Sequence, residues 1–551
     1  MSRGVLPAAP ALPSASMQLP APPSSSVRAP RHIVASADHL ATSAGLRAFA
    51  LGGNAVDAAI ATNAAIAVTA PHLCGMGGDL FALVHVDDPS SSDPGTTHAL
   101  NASGRAGSGA APDRLRAEGF SEMPFKLDIR TATVPGCVDG WLTLHERFGS
   151  LPLDEVLAPA RRLAADGFPA SPLLVGSLRR LDAPSRSNLE ELASQATSTG
   201  ARVRRPGVAL ALAGLPVTGR DGYYGGAFGD GLVEIGGGEF TEADLLASHA
   251  DWVDPLTTTA FGVHLHTIGP NSQGYLTLAA ARLAEQLDLP DDPDDERWAH
   301  LLVEAAAAAG FDRPDVLHEG ADGTALLSAI DGRLDQIGLE RSSGRTAPAS
   351  DGDTTYLCTA GIDGDGRRIG VSLIQSNASG FGSHLVEPDT GINIHNRGLG
   401  FNLVPGHPAE YGPGRRPPHT LSPALATRAG RLAAVFGTMG GDAQPQILLQ
   451  VAARLFRHGQ SPGAAIAAAR WALRGPETGF DTWTASRGPS VQVEGHAPDA
   501  WVGGLTARGH RAAAAPAWDS GFGHAHAIVV DQDMFAGAAD PRAVVGSAAG
   551  A

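Results

Sequence analysis

The sequence predicts a layered α/β protein, and three observations carry that reading. After residue 353, strand-like runs at Thr355 to Ile362, Ile369 to Ile374, Leu432 to Phe436, Val491 to Val493 and His526 to Val530 alternate with helical stretches at Gln444 to His458 and Pro462 to Trp471. Residues Ala55 to Val68 form a helix-length stretch made almost wholly of Ala, Ile and Val, so that helix is enclosed by protein on most sides. A polar stretch punctuated by Gly and Pro, Glu340 to Gly352, separates the strand-rich end from what precedes it.

Taken in order, Asp38 to Leu51 has apolar residues at helical spacing, and Gly52-Gly53 supplies the left-handed stop that a helix C-terminus favours. Asn54 then caps the apolar helix. Leu80 to Val86 is β-like, Gly136 to Phe148 and Leu153 to Ala165 are consecutive helices, and residues 170 to 350 read mainly as helices and loops.

A chain of 551 residues allows three or four domains or one large α/β unit. The formal charge of −17 repels phosphate backbones and anionic lipid, which disfavours nucleic acid and membrane surfaces and leaves small molecules as partners. No apolar run reaches membrane-spanning length. Cys74, Cys137 and Cys358 are too few and too irregularly spaced for a disulfide framework or a zinc site, and read as core or strand thiols. Residues 1 to 31 are rich in Pro, Ser and Ala and lack the apolar run of a secretory signal; a disordered extension and a cytoplasmic location are expected. The pairs His264/His266 and His524/His526 each put two rings on one strand face and could begin a metal site, but no third ligand recurs beside them. No metal or cofactor is expected.

Asp353-Thr354 stands between the loose stretch and the strand-like run from Thr355. The pair is ordinary turn chemistry, but it is also a place to cut. Opening the backbone there would make Thr354 an N-terminus, with nucleophilic hydroxyl and basic amine on one residue. An α-amine with a reference pKa of about 7.7–8.0 is partly unprotonated near neutrality and can take the hydroxyl proton. Further on, Gly440-Gly441 follow a β-like run and lead into a helical stretch, where the free N–H groups of a helix start can hold a developing oxyanion. A plain strand-to-helix turn, or a phosphate loop, is the competing reading. A dinucleotide loop is not, since Gly437 to Gln446 lacks the Gly-x-Gly-x-x-Gly spacing.

Five collinear blocks resemble the γ-glutamyltransferase family: Gly52 to Ala61, Gly75-Met76-Gly77-Gly78-Asp79, Thr133-Val134-Pro135-Gly136 with Gly140-Trp141, Gly437 to Gly441, and Gly537 to Arg542. The resemblance covers residues 32 to 547 and implies an N-terminal nucleophile hydrolase with an αββα sandwich. It further implies self-cleavage between Asp353 and Thr354 into segments 32–353 and 354–551, which stay together as one packed unit. On the same basis Thr354 is the nucleophile and Gly440 and Gly441 form the oxyanion hole. Ser376 and Asn377, and less directly Ser372, support the nucleophile, and Arg105 grips a substrate carboxylate.

The chain departs from that pattern at the substrate end. Tyr356 replaces a histidine beside the nucleophile, no carboxylate stands near Leu399-Gly400 to pair a substrate ammonium, and His419-Thr420 replaces a Ser-Ser pair. A buried ammonium left unpaired is penalised heavily. The expected activity is therefore acyl transfer to water or an amine, with the γ-glutamyl group in question. Oxalyl, keto-acid or cephalosporin-type substrates, including C–C bond hydrolysis, are the alternative, and an unprocessed binding protein is a third reading.

Overall fold

Alternation of inward and outward side chains along fourteen strands builds two seven-stranded antiparallel sheets, seen in a computed structural model that describes residues 25–92, 94–345, 353–474 and 490–551. The strands are β1 (Val27–Ala29), β2 (His32–Ser36), β3 (Asp79–Asp87), β4 (Thr96–Ala102), β5 (Asp251–Val253), β6 (Pro255–Ala260) and β7 (Val263–Ile268). They continue with β8 (Thr355–Ile362), β9 (Arg368–Ser376), β10 (Ala424–Arg428), β11 (Arg431–Thr438), β12 (Ala525–Asp531), β13 (Met534–Ala538) and β14 (Ser547–Gly550). One sheet runs β14-β2-β8-β9-β3-β4-β5, the other β1-β13-β12-β11-β10-β7-β6.

The period of two in β8 assigns its faces. Tyr356, Cys358 and Ala360 join Ile33, Phe81, Ile374, Leu425, Val435 and Ile528 in the core between the sheets. Leu357 points the other way, under α1 (His39–Ala50), α2 (Ala55–Thr69), α3 (Cys137–Phe148) and α4 (Leu153–Asp166). Thr359, on that same face, donates to the Ala55 carbonyl. The second sheet is covered by α5 (Tyr275–Glu285), α6 (Glu296–Gly310) and α7 (Gln444–Ala452). The result is the expected αββα sandwich.

Local chemistry agrees with the elements it predicts. Asn54 accepts from the amides of Val56 and Asp57 while the Asp57 carboxylate returns a bond to the Asn54 amide, a complete capping box. Every residue of α2 is buried, as its composition requires. The three cysteines are buried and free. No helix among the described residues is long and apolar enough to cross a membrane.

Three expectations need correction. The stretch from 170 to 350 contains β5 to β7, which extend both sheets at one end; β6 and β7 join through Phe261-Gly262, both at positive φ, in a tight hairpin. The helix from Pro462 ends at Ala467, because Trp471–Arg474 pairs with Ser490–Glu494 as a strand. The extension expected over 1–31 ends earlier: Val27–Ala29 pairs with β13, whereas residues 1–24 lie outside the described residues, as do 346–352 of the loose stretch.

Candidate active site

The antiparallel register of β8 and β9 pairs Thr355 with Gln375, which brings Thr354 opposite Ser376 at the sheet's end. The Thr354 hydroxyl donates to Ser376 Oγ at 3.1 Å, and Ser376 Oγ donates to the Asp353 carbonyl oxygen at 2.7 Å. The Ala378 amide, 2.8 Å away, donates to Ser376 and fixes its rotamer. Thr354 is only 1% exposed, so in the uncut chain its hydroxyl reaches groups of its own protein.

Arg397 closes this cluster from the second side. It begins a 3-10 turn, Arg397–Gly400, and is fully buried. Its Nη2 lies 3.4 Å from Ser376 Oγ and its Nη1 donates to Thr420 Oγ1 at 3.1 Å. Burial pulls its pKa down to about 10, against the opposing pull of the Asp79 and Asp442 carboxylates. Asp79, the last residue of the Gly75–Asp79 block, accepts from the amides of Gly104 and Gly136 and lies 3.2 Å from His419 Nε2 and 3.7 Å from His395 Nδ1. Burial alone would raise the Asp79 pKa; His395, His419 and Arg397 override it and hold the carboxyl well below its usual range. His419 moves to about 3, chiefly through burial and then through Arg397, so this imidazole is neutral at ordinary pH.

The glycine pair completes the arrangement. Gly440 sits at φ 134° and Gly441 at φ 54°, backbone that glycine alone adopts readily in succession, and a 3-10 turn starting at Gly441 leads into α7. Gln273 ties the loop to the cluster by donating to the carbonyls of both Thr420 and Gly441. From below, Gly437 lies flat against the Tyr356 ring, where a Cβ would come within 2.2 Å of a ring carbon. Next to the pair, Asp442 meets the buried Arg313 at 3.3 Å.

Of the residues singled out in the sequence, Thr354, Asp353, Ser376 and Thr420 therefore join one cluster through Ser376 and Arg397, Gln273 links the Gly441 carbonyl to it, and His419 is attached through Asp79. Ser372 stands apart: it pairs with the Tyr356 hydroxyl at 2.9 Å, lower on the same strand face. Asn377 donates to the Pro71 carbonyl and shapes the loop over Gly75 and Gly78. Arg105 is engaged by Glu319 at 2.6 Å and by the Gly414 carbonyl at 3.0 Å. The paired histidines have other partners. His264 and His266 bond to Thr259 and Thr257, His524 to Ser520, and His526 to the Asp540 amide. Sequence reasoning missed Arg397, Gln273, Arg313 and Asp442, since a charged or amide residue in a loop signals solvent until its burial is seen.

Fold and site together define an N-terminal nucleophile hydrolase. The chain belongs to the gamma-glutamyltranspeptidase family, whose model matches residues 41–550, and it is an enzyme of that family. It is 32% identical over 540 residues to a glutathione hydrolase-like YwrD proenzyme of Bacillus subtilis, covering 94% of this chain and 98% of that one. It is 34% identical over 532 residues to the oxamate amidohydrolase proenzyme of Klebsiella pneumoniae, covering 93% and 97%. The crystal structure of a cephalosporin acylase from Bacillus halodurans superposes with a TM-score of 0.83 at 31% identity and 99% coverage of both chains.

Proposed function

We propose that the chain is a precursor that cuts itself between Asp353 and Thr354 and then uses Thr354 to transfer an acyl group from an amide to water or an amine. The contact between Ser376 and the Asp353 carbonyl carries this reading, because it polarises the bond to be broken and leaves the Thr354 hydroxyl beside it. In the first stage Thr354 Oγ adds to the Asp353 carbonyl carbon and its proton passes to the departing Thr354 nitrogen. The ester so formed is hydrolysed by water to the Asp353 carboxylate and a free Thr354 amine. In the second stage that amine accepts the hydroxyl proton as Oγ attacks a substrate amide, and later returns it to the leaving amine. The amides at Gly440 and Gly441 supply the charge-stabilising donors. The two segments, up to Asp353 and from Thr354, remain held by the shared sheet in which β8 pairs with β2.

On the acyl side, Arg397 favours a donor whose carboxylate lies close to the scissile carbonyl, over the γ-glutamyl group with its distant ammonium. A buried guanidinium stands within two hydrogen bonds of Thr354, and the segment around Leu399-Gly400 offers no carboxylate to an ammonium. The amidohydrolase relative, named for oxamate, fits that preference.

Mass spectrometry of the purified protein beside Thr354→Ala tests the mechanism. A fragment beginning at Thr354 is expected in the first and none in the second; an active wild type consisting of one unbroken chain would overturn it. Oxamate, a γ-glutamyl anilide and a cephalosporin-side-chain amide, assayed in parallel, test the acyl preference.

A further inference from the structure

We propose that His300, Glu304 and His510 form a binding site for a divalent transition-metal ion of the zinc class, which staples the segment before the cut to the segment after it. His300 and Glu304 are one turn apart on α6, so both side chains project from one helix face. His510 comes from the other side of the cut, just past the helix Ala500–Ala507, and its Nε2 lies 2.8 Å from His300 Nδ1 and 3.9 Å from Glu304 Oε1. The three ligand atoms all fall within 4.8 Å of one another. Ligands at about 2.0–2.2 Å around one zinc ion stand about 3.3 Å apart, so changes of up to about 1.5 Å in these separations would seat it. All three residues are buried.

The surroundings suit a neutral-imidazole, carboxylate donor set. Among the described residues the other ring nitrogen of His300 has no hydrogen-bond partner of good geometry, and it faces the backbone around Gly338 and Leu339, where a tautomer-fixing acceptor belongs. Glu304 is already oriented, since its carboxylate accepts from the amides of Gly338 and Ser343. The other charged groups nearby, Arg508 with Glu296 and Glu340, pair with one another at the rim. Two histidines and one carboxylate leave a fourth position of a tetrahedral ion for water.

The position gives the ion a structural task. Glu304 holds the chain at Gly338 and Ser343, immediately before the stretch that leads to Asp353, and the Ser342 amide donates to the Arg508 carbonyl next to His510. The ion would anchor the stub of the processing stretch to the second segment. This stapling role rests on the proposed cut, whereas the site itself does not.

The test is a zinc titration of the full-length protein after stripping with chelator, on wild type, Thr354→Ala, His300→Ala, His510→Ala and His264→Ala. About one ion per chain is expected in wild type, in uncut Thr354→Ala and in His264→Ala, with affinity lowered at least about 100-fold in His300→Ala and His510→Ala. Equal binding by the His300 and His510 variants, or no binding by wild type, overturns the site. If those variants do not fold, cobalt substitution of wild type decides: visible absorption of tetrahedral nitrogen–oxygen coordination supports it and its absence overturns it. Zinc bound by an unbroken wild-type chain would support the site while defeating the cut.

Discussion

Ser376 donates to the Asp353 carbonyl oxygen at 2.7 Å while the Thr354 hydroxyl sits 3.1 Å from the same serine oxygen. One side chain thus touches both the group that would attack and the group that would be attacked, before any cut has been made.

Ser376→Ala removes that donor and leaves a small, compatible residue on the strand. Loss of one preorganised donor to a developing oxyanion slows a reaction by about 100- to 1,000-fold. Precursor should accumulate on denaturing gels and convert over hours to days, while Thr354→Ala does not convert at all. Cleavage of Ser376→Ala at the wild-type rate would remove the serine from the mechanism.

At Gly440, φ of 134° is the constraint rather than space, since an added Cβ would meet the flexible tip of Ile447 at 3.2 Å and Gly523 Cα at an ordinary 3.8 Å. Gly440→Ala should therefore fold and bind but hold its amide off line. The expected outcome is a kcat lower by about 100-fold with KM little changed, measured on protein that has already been cut.

How far the sequence revealed this site depended on whether a residue's role lay in backbone pattern or in burial. The capped apolar helix, the β8 run and the glycine pair all declared themselves, because cap chemistry, period-two alternation and tandem glycines are local signals. β5 and β6 leave little local trace because they are short and lie among helices, whereas Val263-His264-Leu265-His266 alternates cleanly enough to put His264 and His266 on one strand face; the hairpin at Phe261-Gly262 that joins β6 to β7 is the part the pattern does not show. Ser372 and Ser376 are both candidates through the family resemblance; the register that pairs Thr355 with Gln375 sets Ser376 opposite Thr354. Arg397 left no trace, since nothing in His395-Asn396-Arg397-Gly398 says that a guanidinium is enclosed between Ser376, Thr420 and two carboxylates.

Arg397→Gln should separate substrates. Hydrogen bonds to a charged partner contribute about 1.5–3 kcal/mol, so donors with a carboxylate beside the scissile carbonyl should lose roughly 10- to 100-fold in kcat/KM. Neutral amide donors should change by much less. An equal loss on both would mean that Arg397 only supports the fold around Asp79 and Asp442.

Acid should destabilise this protein through its buried histidines before its carboxylates. Burial lowers His72, His419 and His526 to about 3 and His266 and His524 to about 4, from an ordinary 6.5. The unfolded chain therefore takes up protons first as pH falls. Their contribution is fully present above pH 6.5 and is lost as pH falls to about 4 for His266 and His524 and about 3 for His72, His419 and His526, each group adding a slope of up to about 1.4 kcal/mol per pH unit. Asp79 and Asp540, held below their ordinary 3.8, act only in a lower window. Urea midpoints of the single-chain Thr354→Ala precursor should stay level from pH 8 to about pH 6.5 and then fall steeply. Among the described residues His72 has no hydrogen-bond partner on either ring nitrogen, and its ring lies 6.2 Å from that of Phe381, so His72→Phe should reduce that slope without altering stability greatly at pH 8. A midpoint that holds level down to pH 4 would show that these histidines gain protons in the folded state as easily as in the unfolded one.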